Sequence, residues 1–255
     1  MTQHLSSIAQ ETANLLRQYA TWYETEEFLK GDPSWFMHQV EGGNNQEAMA
    51  LVTSVLSYGS RPVFMSKVET LLHASSGEMH EWIMQGEFQQ MFRVDDNGCF
   101  YRFYTNAVMS GFLNSYRNIL QEYGSLGTAV AENASDGYQA LIRICELFNA
   151  KHKCTVIPKD TTSACKRLCM FLRWMVRDNS PVDLGLWAHF IDRRTLIIPF
   201  DTHVLQQSSR LGLLKSTNAS MSTAKRLTSV LAEVFPDDPL RGDFALFGYG
   251  VNHKP

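Results

Sequence analysis

The chain has 255 residues, 44% hydrophobic and 19% charged, with 23 basic and 26 acidic side chains and a net charge of −3. That is enough apolar material for one or two domains with a buried core, and too little positive charge for a protein that coats nucleic acid nonspecifically. No apolar run is long enough to span a bilayer and no signal-peptide pattern follows Met1, so the expected location is the cytoplasm.

Leu5, Ile8, Leu15, Leu16 and Tyr19 recur at a helical period and predict a first helix. Residues 25–43 read as irregular around Asp32-Pro33. Asn44 followed by Glu47 suggests a capping box before the apolar run from Ala48 to Gly59. Arg61-Pro62 opens another helix reaching Leu72. CFYRFY at 99–104 reads as a short strand or an aromatic loop. Two helices follow. One carries Phe112, Tyr116, Ile119, Leu120 and Tyr123 in register, and the other spans about 136–149. Beyond residue 200, Gly212 marks a helix end, Pro236 stops the next helix, and Asp238-Pro239 predicts the cap and first residue of a last one. Nothing supports an extended sheet, so the expectation is an all-α chain of ten or more helices. The five cysteines are odd in number and scattered, which argues against a disulfide framework.

Residues 163–204 carry the chemistry. In SACKRLCMFLRWMVR, Cys165, Leu168, Cys169, Leu172, Met175 and Val176 form one apolar stripe, while Lys166, Arg173 and Arg177 share the opposite face. Alone, Lys166 reads equally as a solvated helix lysine. Residues 196–200, LIIPF, predict a buried extended run, and Asp201 then caps a helix beginning at Thr202. From Lys151 to Arg177 there are seven basic residues and one acid, Asp160. Such a stripe suits localised contact with phosphates, although a solvated face looks the same.

The segment PFDTHV at 199–204, together with the lysine-bearing helix CKRLCMFLRWM, resembles the helix–hairpin–helix DNA glycosylases of the endonuclease III superfamily. The long spacing from Lys166 to Asp201 is most similar to the archaeal 8-oxoguanine glycosylase type. SYGSR at 57–61, EYGSL at 122–126, VDLGLW at 182–187 and DFALFGYGV at 243–251 extend the resemblance to an uncharacterised bacterial family distantly related to those enzymes. It implies two helical lobes, residues 44–183 and residues 1–43 plus 184–255, with a cleft between them. Lys166 and Asp201 would be catalytic. Lys159, Arg167, Arg173 and Arg177 would bind DNA, and Trp174, Trp187 and His203 would line the base pocket. The implied partner is duplex DNA with a damaged base, taken by a monomer without metal or cofactor. Endonuclease III holds an iron–sulfur cluster near its C-terminus; no cysteine follows Cys169, so none is expected here. The family's glycine-rich hairpin is also missing, for the corresponding turn, IPKDTT at 157–162, has no glycine to admit a phosphate close to the backbone.

The implied chemistry extrudes the base from the stack. A neutral amine then attacks C1′, a state that burial and a neighbouring cation such as Arg173 favour. A carboxylate stabilises the cationic sugar. Oxidised purine is the substrate by analogy. Three alternatives stand beside this reading. One is a descendant that binds nucleic acid without excision, the second a helical interaction protein, and the third a metal-dependent hydrolase using Asp201, His203 and His189.

Overall fold

The computed structural model describes residues 8–151, 154–216 and 218–253, so Leu5 and Lys153 lie outside the described residues. The described chain is all-α apart from one two-stranded ribbon. None of its helices is long and apolar enough to cross a membrane.

Helix α1 (Gln10–Tyr23) turns Ala13, Leu16, Tyr19 and Ala20 inward. The stretch expected to be irregular holds two 3-10 turns, Glu26–Leu29 and Pro33–His38. Asp32 caps the second by accepting from the Ser34 N–H at 3.0 Å, and Pro33 sits at the first position, where no N–H is needed. Helix α2 (Gly43–Leu56) is buried on every side from Glu47 to Leu56, the mark of a central helix. It packs on α3 (Arg61–Ala74), α4 (Met79–Gln85), the Pro33–His38 turn and α8 (Lys166–Val176).

The start of α2 corrects the expected capping box. Gly42 is the cap, and Glu47 points into the core. Its carboxylate accepts from the N–H groups of Leu126 (2.8 Å) and Gly127 (2.9 Å) and from Trp187 Nε1 (2.9 Å). Burial pushes the Glu47 carboxyl up, against the pull of these donors. Glu47 therefore fastens the start of α6 (Leu126–Ala131) and a distant indole to the central helix.

CFYRFY forms the antiparallel strands β1 (Cys99–Tyr101) and β2 (Tyr104–Thr105), joined by Arg102 and Phe103. Helix α5 (Asn106–Tyr123) buries Phe112, Tyr116, Ile119 and Leu120, and α7 (Gly137–Asn149) packs on it. Helices α9 (Thr202–Arg210), α10 (Met221–Val234) and α11 (Arg241–Asn252) complete the set. Gly212, at φ +70°, follows α9 as expected. The last helix starts later than expected, because Asp238 spends its carboxylate on Arg177 rather than on a cap. Helix α11 lies along α1, and Gly248 makes room for the Tyr23 ring: a Cβ there would stand 2.3 Å from its Cδ2.

Candidate functional site

Helix α8 begins abruptly. Cys165 occupies the left-handed region at φ 45°, and its thiol donates to the Asp160 carbonyl at 3.5 Å. Asp160 closes the preceding turn by accepting from Thr162 N (3.0 Å) and Thr162 Oγ1 (2.6 Å). This turn, without glycine, delivers Lys166 as the first helical residue. On the other side, residues 196–200 are all buried, and Ile198 N donates to Thr228 Oγ1 at 3.1 Å. The run is pinned against α10 and ends at Asp201. There Oδ1 accepts from Val204 N at 2.9 Å and caps α9, while Oδ2 accepts from Lys166 Nζ at 2.6 Å. The expected cap is thus also an ion-pair partner. The side chains are 41% exposed for Lys166 and 31% for Asp201, so the pair faces solvent. Burial alone would raise the Asp201 carboxyl. The Lys166 ammonium, the Val204 N–H and the nearby His203 outweigh it and hold the carboxyl below its ordinary value.

The pair opens into a cavity of about 320 Å³. Lys166, Met170 and Arg173 enter from α8; Asp201, His203 and Val204 come from the start of α9. Phe247 comes from the Phe-rich last helix, which the sequence offers as a further pocket wall, whereas Phe28, Asp32, Arg61 and Asp243 escaped sequence reasoning. Phe28 meets Phe244 and Phe247 edge to face, with centroids 4.9 and 5.0 Å apart. Asp32 Oδ2 stands 4.0 Å from Arg61 Nη2. Burial pushes the Asp243 carboxyl up, opposed by Arg173 and Lys166. Within DFALFGYGV, the four-residue spacing of Asp243 and Phe247 put both on one helical face, a signal available in the sequence.

The other expected site residues divide. His203 lies at the cavity and packs against α11, where a Cβ on Gly250 would come 2.7 Å from its Nε2. Arg167 is half-buried and donates to the Val55 carbonyl (2.5 Å) and to Tyr104 Oη (2.5 Å). Lys159 is exposed on the turn and lines a separate groove between α5 and α7. Arg173 and Arg177 do not form a phosphate-binding face, because both are buried. Arg173 donates to Asp183 (3.2 Å) and Asp243 (2.5 Å). Arg177, 1% exposed, pairs with Asp183, Glu24 and Asp238, the last at 2.7 Å. Arg173 therefore borders the cavity as a neutralised cation. Trp174 and Trp187 are core residues and neither lines the Lys166 cavity. Trp187 meets Phe171 edge to face at 5.2 Å and donates to Glu47.

No curated protein and no solved structure matches the chain. Residues 32–252 match one family model, described as a protein of unknown function, DUF2400. The match takes in every residue of the Lys166 site except Phe28.

Proposed function

Because the chain belongs to the DUF2400 family, whose function is unknown, its role has to be argued from its own site, and we propose that it is a DNA repair glycosylase with strand-cleaving lyase activity. One observation carries the reading: Lys166 Nζ and Asp201 Oδ2, 35 residues apart in sequence, meet at 2.6 Å in a solvent-facing cavity. Surface ion pairs add little stability, so stability is a weak reason to hold this one at a cavity wall.

In the proposed reaction Asp201 accepts the ammonium proton along the existing hydrogen bond. The freed amine attacks C1′ of an extruded nucleotide, and the glycosidic bond breaks with its electron pair leaving on the base. Opening of the sugar then gives an imine between Lys166 and C1′, from which loss of a C2′ proton expels the 3′ phosphate. The cap geometry suits Asp201 to this work: the helix N-terminus keeps the carboxyl oriented, and once it has passed the proton to the departing base its carboxylate faces the positive charge on the sugar. The reading is supported by the cavity lining. Arg61, Lys166, Met170 and Arg173 belong to residues 44–183, and Phe28, Asp32, Asp201 and Asp243 to the remainder, as a cleft between two lobes requires. Aromatic faces and carboxylate acceptors suit a base that presents N–H groups, as an oxidised purine does.

Borohydride trapping on a duplex with 8-oxoguanine or an abasic site tests the reading. Wild type should give a covalent adduct and Lys166→Gln none. A duplex that is bound without an adduct would favour the second reading, binding without excision, for which the glycine-free turn at 157–162 speaks.

A further inference from the structure

We infer that the protein has a second ligand site, at the start of α2, that takes a small linear dication of the aliphatic diamine class, with Glu47 receiving one of its ammonium groups. The site shares no lining residue with the Lys166 cavity and does not depend on the glycosylase reading. Among the described residues three carboxylates are buried, those of Asp32, Glu47 and Asp183. Asp183 pairs with Arg173 and Arg177, and Asp32 stands 4.0 Å from Arg61. Glu47 has neutral donors instead: the N–H groups of Leu126 and Gly127 and the Trp187 indole. These orient the carboxylate but bring no counterion, and a buried charge is costly until it is paired. Burial accordingly pushes the Glu47 carboxyl up.

Glu47 lines a cavity of about 370 Å³. Leu186 and Phe190 give it an apolar wall for a methylene chain, and an aromatic ring also attracts an ammonium. Ser125 and Thr128 bring hydroxyls, 2.9 Å apart, that can accept from the same group. Gly43 and Asn44 line this cavity and also a neighbouring one of about 400 Å³, so the two meet at the start of α2. In the second cavity the exposed Glu78 and Glu81 supply two more carboxylates. Neither cavity is lined by a lysine or an arginine. The start of α2 itself contributes about half a positive charge, which three carboxylates exceed. A chain with an ammonium at each end answers this arrangement. One end pairs with Glu47 and the other with Glu78 and Glu81, and the methylenes cross at Gly43, where no side chain intervenes.

The Trp187 indole N–H reports on the site, because it donates to Glu47. The test follows its magnetic resonance in isotope-labelled protein at low salt while diaminopentane, pentylamine or pentanol is added. The diamine should shift the resonance saturably and bind about threefold more tightly than pentylamine, the scale of one exposed ion pair. Pentanol should leave it in place. Glu47→Gln should weaken both amines about tenfold, the scale of one hydrogen bond to a charged group. The double variant Glu78→Gln, Glu81→Gln should remove the advantage of the diamine and leave pentylamine binding intact. Should Glu47→Gln not fold, Thr128→Lys at an exposed lining position should fill the site with its own ammonium and abolish binding of both amines. No saturable shift with the diamine would overturn the inference, as would a shift that survives Glu47→Gln and Thr128→Lys unchanged. A shift given equally by pentanol would mark a merely apolar cleft and overturn it too. Equal affinity for diamine and pentylamine would overturn the assignment of a dication.

Discussion

At the residue scale, Asp201 does two jobs with two oxygens, one capping α9 and one holding Lys166. They separate on substitution. Asp201→Asn keeps an acceptor for Val204 N and should cost no more than about 1 kcal/mol by urea unfolding, since the partly exposed pair contributes little. The same change should nearly abolish the trapped adduct. An Asn variant that traps as well as wild type would remove Asp201 from the mechanism. The pair also has a pH signature. The folded Asp201 carboxyl lies below its ordinary value of 3.8, so the contribution of the pair to stability is complete above about pH 4. It is lost as pH falls through the lower folded value. Wild type and Asp201→Asn should show parallel stabilities from pH 5 to 8 and converge only in stronger acid. Lys166 and Asp201 were singled out by the resemblance of their two segments; the local patterns placed them on a striped helix and at a helix cap without telling the lysine from a solvated one. Arg173 and Arg177 were misread for the converse reason. A helical wheel gives the angle of a side chain but not what that face meets, and here it meets Glu24, Asp238 and Asp243, 61 to 153 residues away.

At the scale of the elements, two helix glycines make a paired prediction. A Cβ on Gly248 would enter the Tyr23 ring of α1, whereas one on Gly111 in α5 meets nothing within 4 Å. Gly248→Ala should lower stability by about 1–3 kcal/mol through overpacking. Gly111→Ala should raise it by roughly 0.5–1 kcal/mol through helix propensity. Denaturant midpoints decide both, and equal shifts would mean that α1 is free to move off α11. The helices themselves were largely visible from their apolar periods. Their starts were less so, because polar residues near an end have more than one use. Glu47 fitted a capping box and instead joins α2 to α6 and Trp187. Asp238 fitted a cap and instead receives Arg177. Phe28 and Asp32 went unassigned because 3-10 turns carry no period long enough to mark a face.

At the scale of the whole molecule, the two buried arginines join four distant parts of the chain: the residue after α1, α8, the loop at Asp183 and the approach to α11. Asp183 receives both guanidiniums. Asp183→Ala should therefore cost about 3–5 kcal/mol, the cost of leaving buried charge uncompensated. A loss under 1 kcal/mol in urea unfolding would show that the remaining acids suffice. The same inward turn of charge sets how the protein would move along DNA. Cations locked in the interior release no counterions, so on the glycosylase reading the salt slope should be shallow, about −0.9 for each phosphate that a surface cation meets. An enzyme of that kind does not slide far on electrostatic attraction. On the glycosylase reading it would sample DNA in short, separate visits whose frequency changes little with ionic strength.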